Sequence, residues 1–279
     1  MIIPIKPAGP DIGAPRNPAS AALQYLQPGA LNLTALPPLS LYIHWPWCVR
    51  KCPYCDFNSH ESNGPIPEQE YLDALRADLE ASLPLIWGRK IHTVFIGGGT
   101  PSLISAAGMD RLMSDLRTLL PLDLDAEITM EANPGTFEAE KFKLFRASGI
   151  NRLSIGIQSF NSDHLKALGR IHDEREAMRA VEIAQANFDN FNLDLMYALP
   201  RQTLAEARHD IQTALSFAPP HLSLYHLTME PNTVFAKFPP PLPDDDESAD
   251  IQDMIFETMS GAGYQHYEVS AYARPGHRA

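Results

Sequence analysis

From Leu39 onward the chain alternates short apolar runs with longer amphipathic ones, and that alternation limits the architectures open to it. The runs Ser40–His44, Thr93–Ile96, Glu127–Glu131, Arg152–Gln158, Asn192–Met196 and His221–Leu227 are expected to be strands. Helices are expected at Glu68–Leu83, Ala106–Leu120, Glu138–Ser148, Arg175–Asn187 and Leu204–Phe217. Strand-helix repetition with apolar strands argues for α/β class, a parallel sheet covered by helices. Six units fall short of a closed eight-unit barrel, so the expectation is an open, incomplete barrel. A proline-acidic loop (Pro239–Glu247), a helix near Ala249–Ala262 and a last strand around Tyr267–Ala271 are expected to follow.

Three segments differ in character. Residues 1–38 hold eight prolines and only three charged side chains, Lys6, Asp11 and Arg16. This stretch reads as a disordered or extended leader with one helical turn at Ala21–Leu26. Residues 39–238 carry the core barrel, and 239–279 read as the start of a further, incomplete region. No apolar run approaches the ~20 residues of a membrane span, and no secretory signal is evident. With reduced cysteines, the cytoplasm is the expected compartment. The formal charge of −12 argues against a broad nucleic-acid surface.

All three cysteines fall in Cys48-Val49-Arg50-Lys51-Cys52-Pro53-Tyr54-Cys55. Three thiolates leave one iron of a four-iron, four-sulfur cluster without a protein ligand. An open iron binds a small molecule, whereas a fully ligated cluster mainly passes electrons. A zinc site would need a fourth ligand such as His44 or His60, and a disulfide would leave an odd cysteine. The cluster reading is favoured because the spacing is particular and no cysteine lies elsewhere.

In parallel α/β sheets, chemistry gathers at the carboxyl ends of the strands. Each expected strand here ends in something unusual: the cysteine loop, Gly97-Gly98-Gly99-Thr100, Glu131-Ala132-Asn133-Pro134, Gln158-Ser159-Phe160, Asp194 and Thr228. The glycines either admit a ligand to the backbone or make a tight turn. Glu131 and Asp194 are either ligand-binding acids or half-solvated rim residues. Arg170 offers fork geometry to a carboxylate or decorates the surface. Trp45 and Trp47 are expected to shield the cluster, and His44 is expected to be structural.

The run Leu41-Tyr42-Ile43-His44-Trp45-Pro46-Trp47-Cys48, with Cys52 and Cys55, resembles radical S-adenosylmethionine (SAM) proteins. More narrowly, GGGTPSL, EITMEANPGT, RLSIGIQSF, LGRIH and FNLDLMYALPRQT resemble the group related to oxygen-independent coproporphyrinogen III oxidase. The fold implied is an incomplete (β/α)6 radical-SAM barrel. The resemblance implies Cys48, Cys52 and Cys55 as ligands of a [4Fe-4S] cluster. It implies SAM contacts at Tyr42, Gly98, Gly99, Thr100 and Glu131, and further cofactor or ligand space lined by Tyr54, Gln158, Arg170 and Asp194.

Two branches of that group differ after the third cysteine. The oxidase branch carries an additional cysteine there; Cys55-Asp56-Phe57-Asn58-Ser59 lacks it and resembles the heme-chaperone branch. The resemblance thus implies heme as cargo, heme-accepting proteins and an electron donor as partners, and membrane association through partners only. The oxidase is the alternative, and a plain iron–sulfur carrier a third class that would not need the glycine loop or the strand-end acids. The group continues past the segment Tyr272–Gly276 into a histidine-asparagine motif and a helical domain, so a truncated C-terminal domain is expected.

Overall fold

Five successive parallel pairings build the sheet that positions everything else. The strands, in chain order, are β1 (Leu39–Trp45), β2 (Trp47–Cys48), β3 (His60–Glu61), β4 (Ile91–Gly98), β5 (Leu122–Ala132), β6 (Arg152–Gln158), β7 (Phe191–Tyr197), β8 (His221–His226), β9 (Gln265–Glu268) and β10 (Ala271–Ala273). The computed structural model describes residues 36–279 apart from Phe137, so the expected leader with its Ala21–Leu26 turn falls almost wholly outside the described residues. The sheet order is β1-β4-β5-β6-β7-β8-β10-β9. Strands β1 and β4 to β8 run parallel; β10 is antiparallel to β8, and β9 to β10. The expected open six-unit barrel is the fold observed, with a hairpin added at its far edge.

Two faces of this sheet have opposite chemistry, because successive side chains point to opposite sides. Ile43, Trp45, Val94, Ile96, Ile128, Met130, Leu153, Ile155, Leu193, Leu195, Leu222 and Leu224 are all buried in the main apolar core. They share that core with helix residues such as Met113, Phe145, Val181 and Ile211. The alternate positions include Tyr42, Glu131, Ser154, Asn192, Asp194, Ser223 and Tyr225, which form the polar lining of the barrel. The strands therefore alternate where continuous apolar strands were expected, because one face lines the open interior of the barrel.

The outer helices match the expected ones within a few residues: Glu68–Ile86, Ala106–Leu119, Ala139–Ser148, Glu174–Asn187 and Leu204–Ser216. Two have capping boxes, Asp173 with Glu176 and Thr203 with Glu206. The C-terminal part departs from expectation in two places. The helix Asp245–Gly261 starts inside the expected proline-acidic loop, because Asp244 accepts from the Glu247 N–H and completes a capping box. The single strand expected around Tyr267–Ala271 is a hairpin, with Val269 and Ser270 in the turn between β9 and β10. Short helices at Ser162–Ala167 and Val234–Lys237 were not expected.

One buried acid ties two rim loops together. Asp210, on the helix Leu204–Ser216, accepts from Ser159 Oγ at 2.8 Å, the Phe160 N–H at 2.7 Å and Gln202 Nε2 at 3.4 Å. Burial pushes its carboxyl up to about 6, against those hydrogen bonds. The folded state therefore holds this proton more tightly than the unfolded chain, and stability falls as pH rises between about 4 and about 6. Asp210→Asn should flatten that decline by on the order of 2–3 kcal/mol, read as urea midpoints at pH 4.0 and 6.5. Parallel pH profiles for both proteins would refute the assignment.

Candidate functional site

The site begins where β1 ends. Gly99 N–H donates to Trp45 O at 2.6 Å and Thr100 N–H to Trp47 O at 2.7 Å, so the glycine loop lies directly against the cysteine-bearing segment. A Cβ on Gly98, whose φ is +121°, would stand 2.7 Å from the His44 ring and 2.8 Å from Trp45 O. A Cβ on Gly99 would stand 2.5 Å from Trp47 O. The close approach these glycines permit is thus first to the chain's own backbone. Tyr71 donates to His44 O at 2.7 Å, and its ring meets Trp45 and Trp47 edge-on beneath Cys48.

Two contacts then fold the cysteine loop back. Lys51 Nζ donates to Phe57 O and Ser59 O, both at 2.9 Å. His44 Nε2 donates to Asn58 O at 2.8 Å, leaving Nδ1 to accept from the Tyr42 hydroxyl at 3.0 Å. His44 is structural, as expected, and it orients Tyr42, which stays half exposed at the rim.

All three cysteines are free thiols. Each has a hydroxyl or guanidinium group nearby. Arg170 Nη1 lies 3.7 Å from Cys52 Sγ and Ser59 Oγ 3.9 Å from Cys55 Sγ, while Thr100 and Ser59 lie beside Cys48. Burial pushes the Cys48 thiol up, opposed by the Thr100 and Ser59 hydrogen bonds. An open cleft of about 590 Å³ lies beside Cys52 and Cys55, with Arg50, Lys51 and Lys166 on its walls. Among the described residues no three His, Cys, Asp or Glu side chains converge on a single metal ion.

The two strand-end acids face one another's fields. Glu131 Oε2 accepts the Gly98 N–H at 2.9 Å, and burial, with Asp194 adding to it, pushes the Glu131 carboxyl up to about 7. Asp194 accepts from Ser154 Oγ at 2.9 Å and Asn192 Nδ2 at 2.7 Å; burial pushes it up as well. Tyr225 shares this space, raised to about 12 by burial and then by Asp194 and Glu131. Neither acid is a solvated rim residue.

Arg170 is buried rather than decorative. Its Nη2 donates to Asn133 Oδ1 at 2.5 Å and to Gly156 O at 2.8 Å. Tyr54 packs on Phe235, and burial raises its phenol. Gln158 ends β6 at φ +66°, and its Nε2 lies close to Gly156. The expected residues thus gather at one end of the sheet: Tyr54, Thr100 and Arg170 at the thiols, Gly98, Glu131 and Asp194 deeper in, Tyr42 at the open edge. Sequence reasoning gave no role to Asn133, Ser59, Lys51 or Tyr225. Asn133 was visible in the strand-end motif, but nothing in the sequence marked its partners.

Replacing Gly98 by alanine tests the close approach. The substitution forces a Cβ into His44 and the Trp45 carbonyl at a left-handed φ, so it should destabilise the fold by about 1–3 kcal/mol. Gly64→Ala, where the space around the Cβ is open, is the control. Equal urea midpoints for both variants would show that the rim tolerates a wider gap.

Residues 42–214 match the Radical SAM superfamily. The chain is 53% identical over 247 residues to the heme chaperone HemW of Escherichia coli (strain K12), covering 88% of this chain and 65% of that protein. It is 37% identical to HemW of Bacillus subtilis (strain 168), covering 85% and 64%. The chain thus spans just under two thirds of the length of these relatives. Among solved structures, the coproporphyrinogen III oxidase HemN of Escherichia coli superposes with a TM-score of 0.79 at 32% identity, covering 86% of this chain and 56% of that one. Methylornithine synthase PylB, at 10% identity and a TM-score of 0.55, shares the fold, covering 78% and 62%. The superfamily implies a [4Fe-4S] cluster and SAM, and three free thiols on one loop, each beside a hydrogen-bond donor, fit the cluster. The chain belongs to the radical SAM superfamily.

Proposed function

We propose that the protein is a heme chaperone of the radical SAM type, which binds heme and passes it to heme-accepting proteins. The observation that carries this reading is the similarity to HemW at 53% identity over 247 residues, together with Asp56-Phe57 where the oxidase branch has a further cysteine. The proposed core is residues 39–238, with 239–279 opening a further region. The hairpin β9–β10 extends the core sheet, so that boundary is one of sequence character rather than of packing.

In this reading Cys48, Cys52 and Cys55 hold the cluster. A cluster held there would supply an open iron for SAM and a source of single electrons. The chain's own residues do the rest. Gly98 and Gly99 bring backbone groups to the rim, and Glu131 and Asp194 present carboxylates to hydroxyl or ammonium groups. Tyr42 covers the open edge, and Gln158, Arg170 and Tyr54 close the far side. Trp45, Trp47 and Tyr71 exclude water from beneath Cys48.

The test is anaerobic reconstitution with iron and sulfide, followed by two assays in one preparation. Heme should bind and move to an apo-globin acceptor, and coproporphyrinogen III should not be decarboxylated. Multiple turnovers of decarboxylation would overturn the chaperone in favour of the oxidase. The cluster assignment is checked by a variant with serine at Cys48, Cys52 and Cys55, which should lose the iron–sulfur absorbance.

Glu131→Ala tests the SAM site. Loss of a charge-assisted hydrogen bond should weaken SAM binding by about 1–3 kcal/mol, with iron content unchanged. Unaltered SAM affinity, measured by calorimetry, would leave Glu131 only its bond to the Gly98 N–H.

A further inference from the structure

The middle of the cysteine loop is gripped by two segments that lie far from it in sequence. Pro53, between Cys52 and Cys55, accepts the Phe235 N–H on its carbonyl at 3.0 Å. Its ring lies against Gly169: a Cβ there would stand 2.7 Å from Pro53 Cδ and 3.3 Å from Cγ, and Gly169 has a φ of +70°. The Phe235 ring meets the Tyr54 ring with centroids 6.4 Å apart. Phe235 is buried with Leu168, Leu199 and Leu227 in a second apolar cluster, and Tyr54 packs against it.

The segment that presents Phe235 is itself fixed at both ends. Leu227 N–H donates to Tyr197 O at 3.0 Å, and Arg201 N–H donates to Pro241 O at 3.0 Å. Between these ties, the Thr233 hydroxyl donates to Glu230 O at 2.7 Å and accepts the Ala236 N–H at 3.1 Å, which caps the short helix Val234–Lys237. The Lys51 contacts do not replace this grip. Its Nζ bonds Phe57 O and Ser59 O, which closes the loop on itself. Among the described residues, the backbone bond that ties the loop's middle to the barrel is the one between Phe235 and Pro53. Cys52, Pro53 and Cys55 also line the open cleft, so solvent reaches the loop from that side.

We propose that Phe235 and Gly169 are positioning residues for the cysteine loop: they clamp Pro53, hold Cys52 and Cys55 in place before any cluster is bound, and slow the loss of a bound cluster. Gly169 acts by what it lacks, since a side chain there would push Pro53 away at a φ that L residues rarely adopt. Phe235 acts through its ring, which seats the loop on the second apolar cluster. A loop ordered in advance loses little conformational entropy on taking up metal, and it opens seldom enough to keep its ligands together. Cluster retention rests on the cluster reading above, whereas loop order does not. If the wild-type protein takes up no iron and sulfide, the cluster reading falls, and hydrogen exchange still judges the clamp.

Amide hydrogen exchange of the full chain, read by mass spectrometry on peptides covering residues 52–58, measures opening of the loop. The Cys55 N–H, bonded to Cys52 O at 3.1 Å, reports from inside it. Phe235→Ala and Gly169→Ala should speed exchange there about tenfold, equivalent to about 1.4 kcal/mol. Peptides from the helix Glu174–Asn187 should keep their wild-type rates. Val234→Ala, at the exposed neighbour of Phe235, should leave both regions unchanged. After reconstitution, iron–sulfur absorbance should decay faster under a chelator in the two clamp variants than in wild type or Val234→Ala. In a Pro53→Ala background Gly169→Ala should add less, because the Cδ that its Cβ would strike is gone; an undiminished effect there would remove Gly169 from the clamp. Wild-type exchange across residues 52–58 in Phe235→Ala would overturn the proposal. So would an equal rise in the distant helix, which marks a general loss of stability. Should Gly169→Ala fail to fold, Phe235→Ala against Val234→Ala decides: faster loop exchange in the first alone supports the clamp, and equal rates refute it.

Discussion

How closely the chain at Trp45–Trp47 passes over Gly98 and Gly99 governs the rest of the rim. Two short backbone hydrogen bonds, from the Gly99 and Thr100 N–H groups, lock the passage at 2.6 and 2.7 Å. Only residues without a Cβ permit it, since a Cβ on either glycine would meet Trp45 or Trp47 backbone at under 3 Å. Three consequences follow. Cys48 is brought beside Thr100, the Gly98 N–H is turned towards Glu131, and the loop carrying Cys52 and Cys55 is launched across the sheet end towards Arg170. The glycine run that sequence alone leaves open between ligand cradle and tight turn is better described as a backbone joint between the cysteine loop and the sheet.

The architecture was legible because it rests on local, periodic signals. Six apolar runs in alternation with amphipathic ones predict both the strands and the parallel pairing. Where local signals compete, the reading slips. Val269 and Ser270 look like strand continuation but form the turn of a hairpin, and Asp244–Glu247 is a capping box read as loop acidity. At the site, the cysteines declared themselves by spacing. Asn133 and Tyr225 did not, because their roles depend on contacts far apart in sequence: Arg170 and Cys52 are 118 positions apart, and Asn133 lies 37 from Arg170 and 33 from Thr100. No periodicity records such a meeting; only the converging loop ends do.

Below the acids, the barrel floor is a fixed polar ladder. Arg152 sits against Glu127 and bonds Thr129 at 3.4 Å. Burial and the Arg152 charge push His221 down to about 4, so its ring is neutral near pH 7. A neutral ring has one donor and one acceptor. His221 Nδ1 meets Asn192 Oδ1 and Nε2 meets the Tyr267 hydroxyl, both at 2.7 Å, which fits Nδ1 donating and Nε2 accepting. Asn192 then has its amide NH₂ turned towards Ser154 and Asp194. Tyr267 comes from the hairpin β9, so the segment beyond the six-unit barrel helps fix the orientation of an acid inside it.

The same ladder explains why the site suits a cation. Burial raises both Glu131 and Asp194, and the Asp194 charge adds to the rise at Glu131. Among the described residues neither accepts a hydrogen bond from a cationic side chain: Asp194 is held by Ser154 and Asn192, with the Arg152 charge partly offsetting its rise, and Glu131 by a backbone N–H. An acid poised near pH 7 in such surroundings gains most from a ligand that brings positive charge, because one such group relieves both the burial cost and the mutual repulsion. Sulfonium and ammonium groups meet that requirement; an anionic ligand would add to the repulsion. The charge character of the interior therefore favours a cationic group at these acids. It leaves the cleft walled by Arg50, Lys51 and Lys166, on the cysteine side, as the place where carboxylate groups are better received.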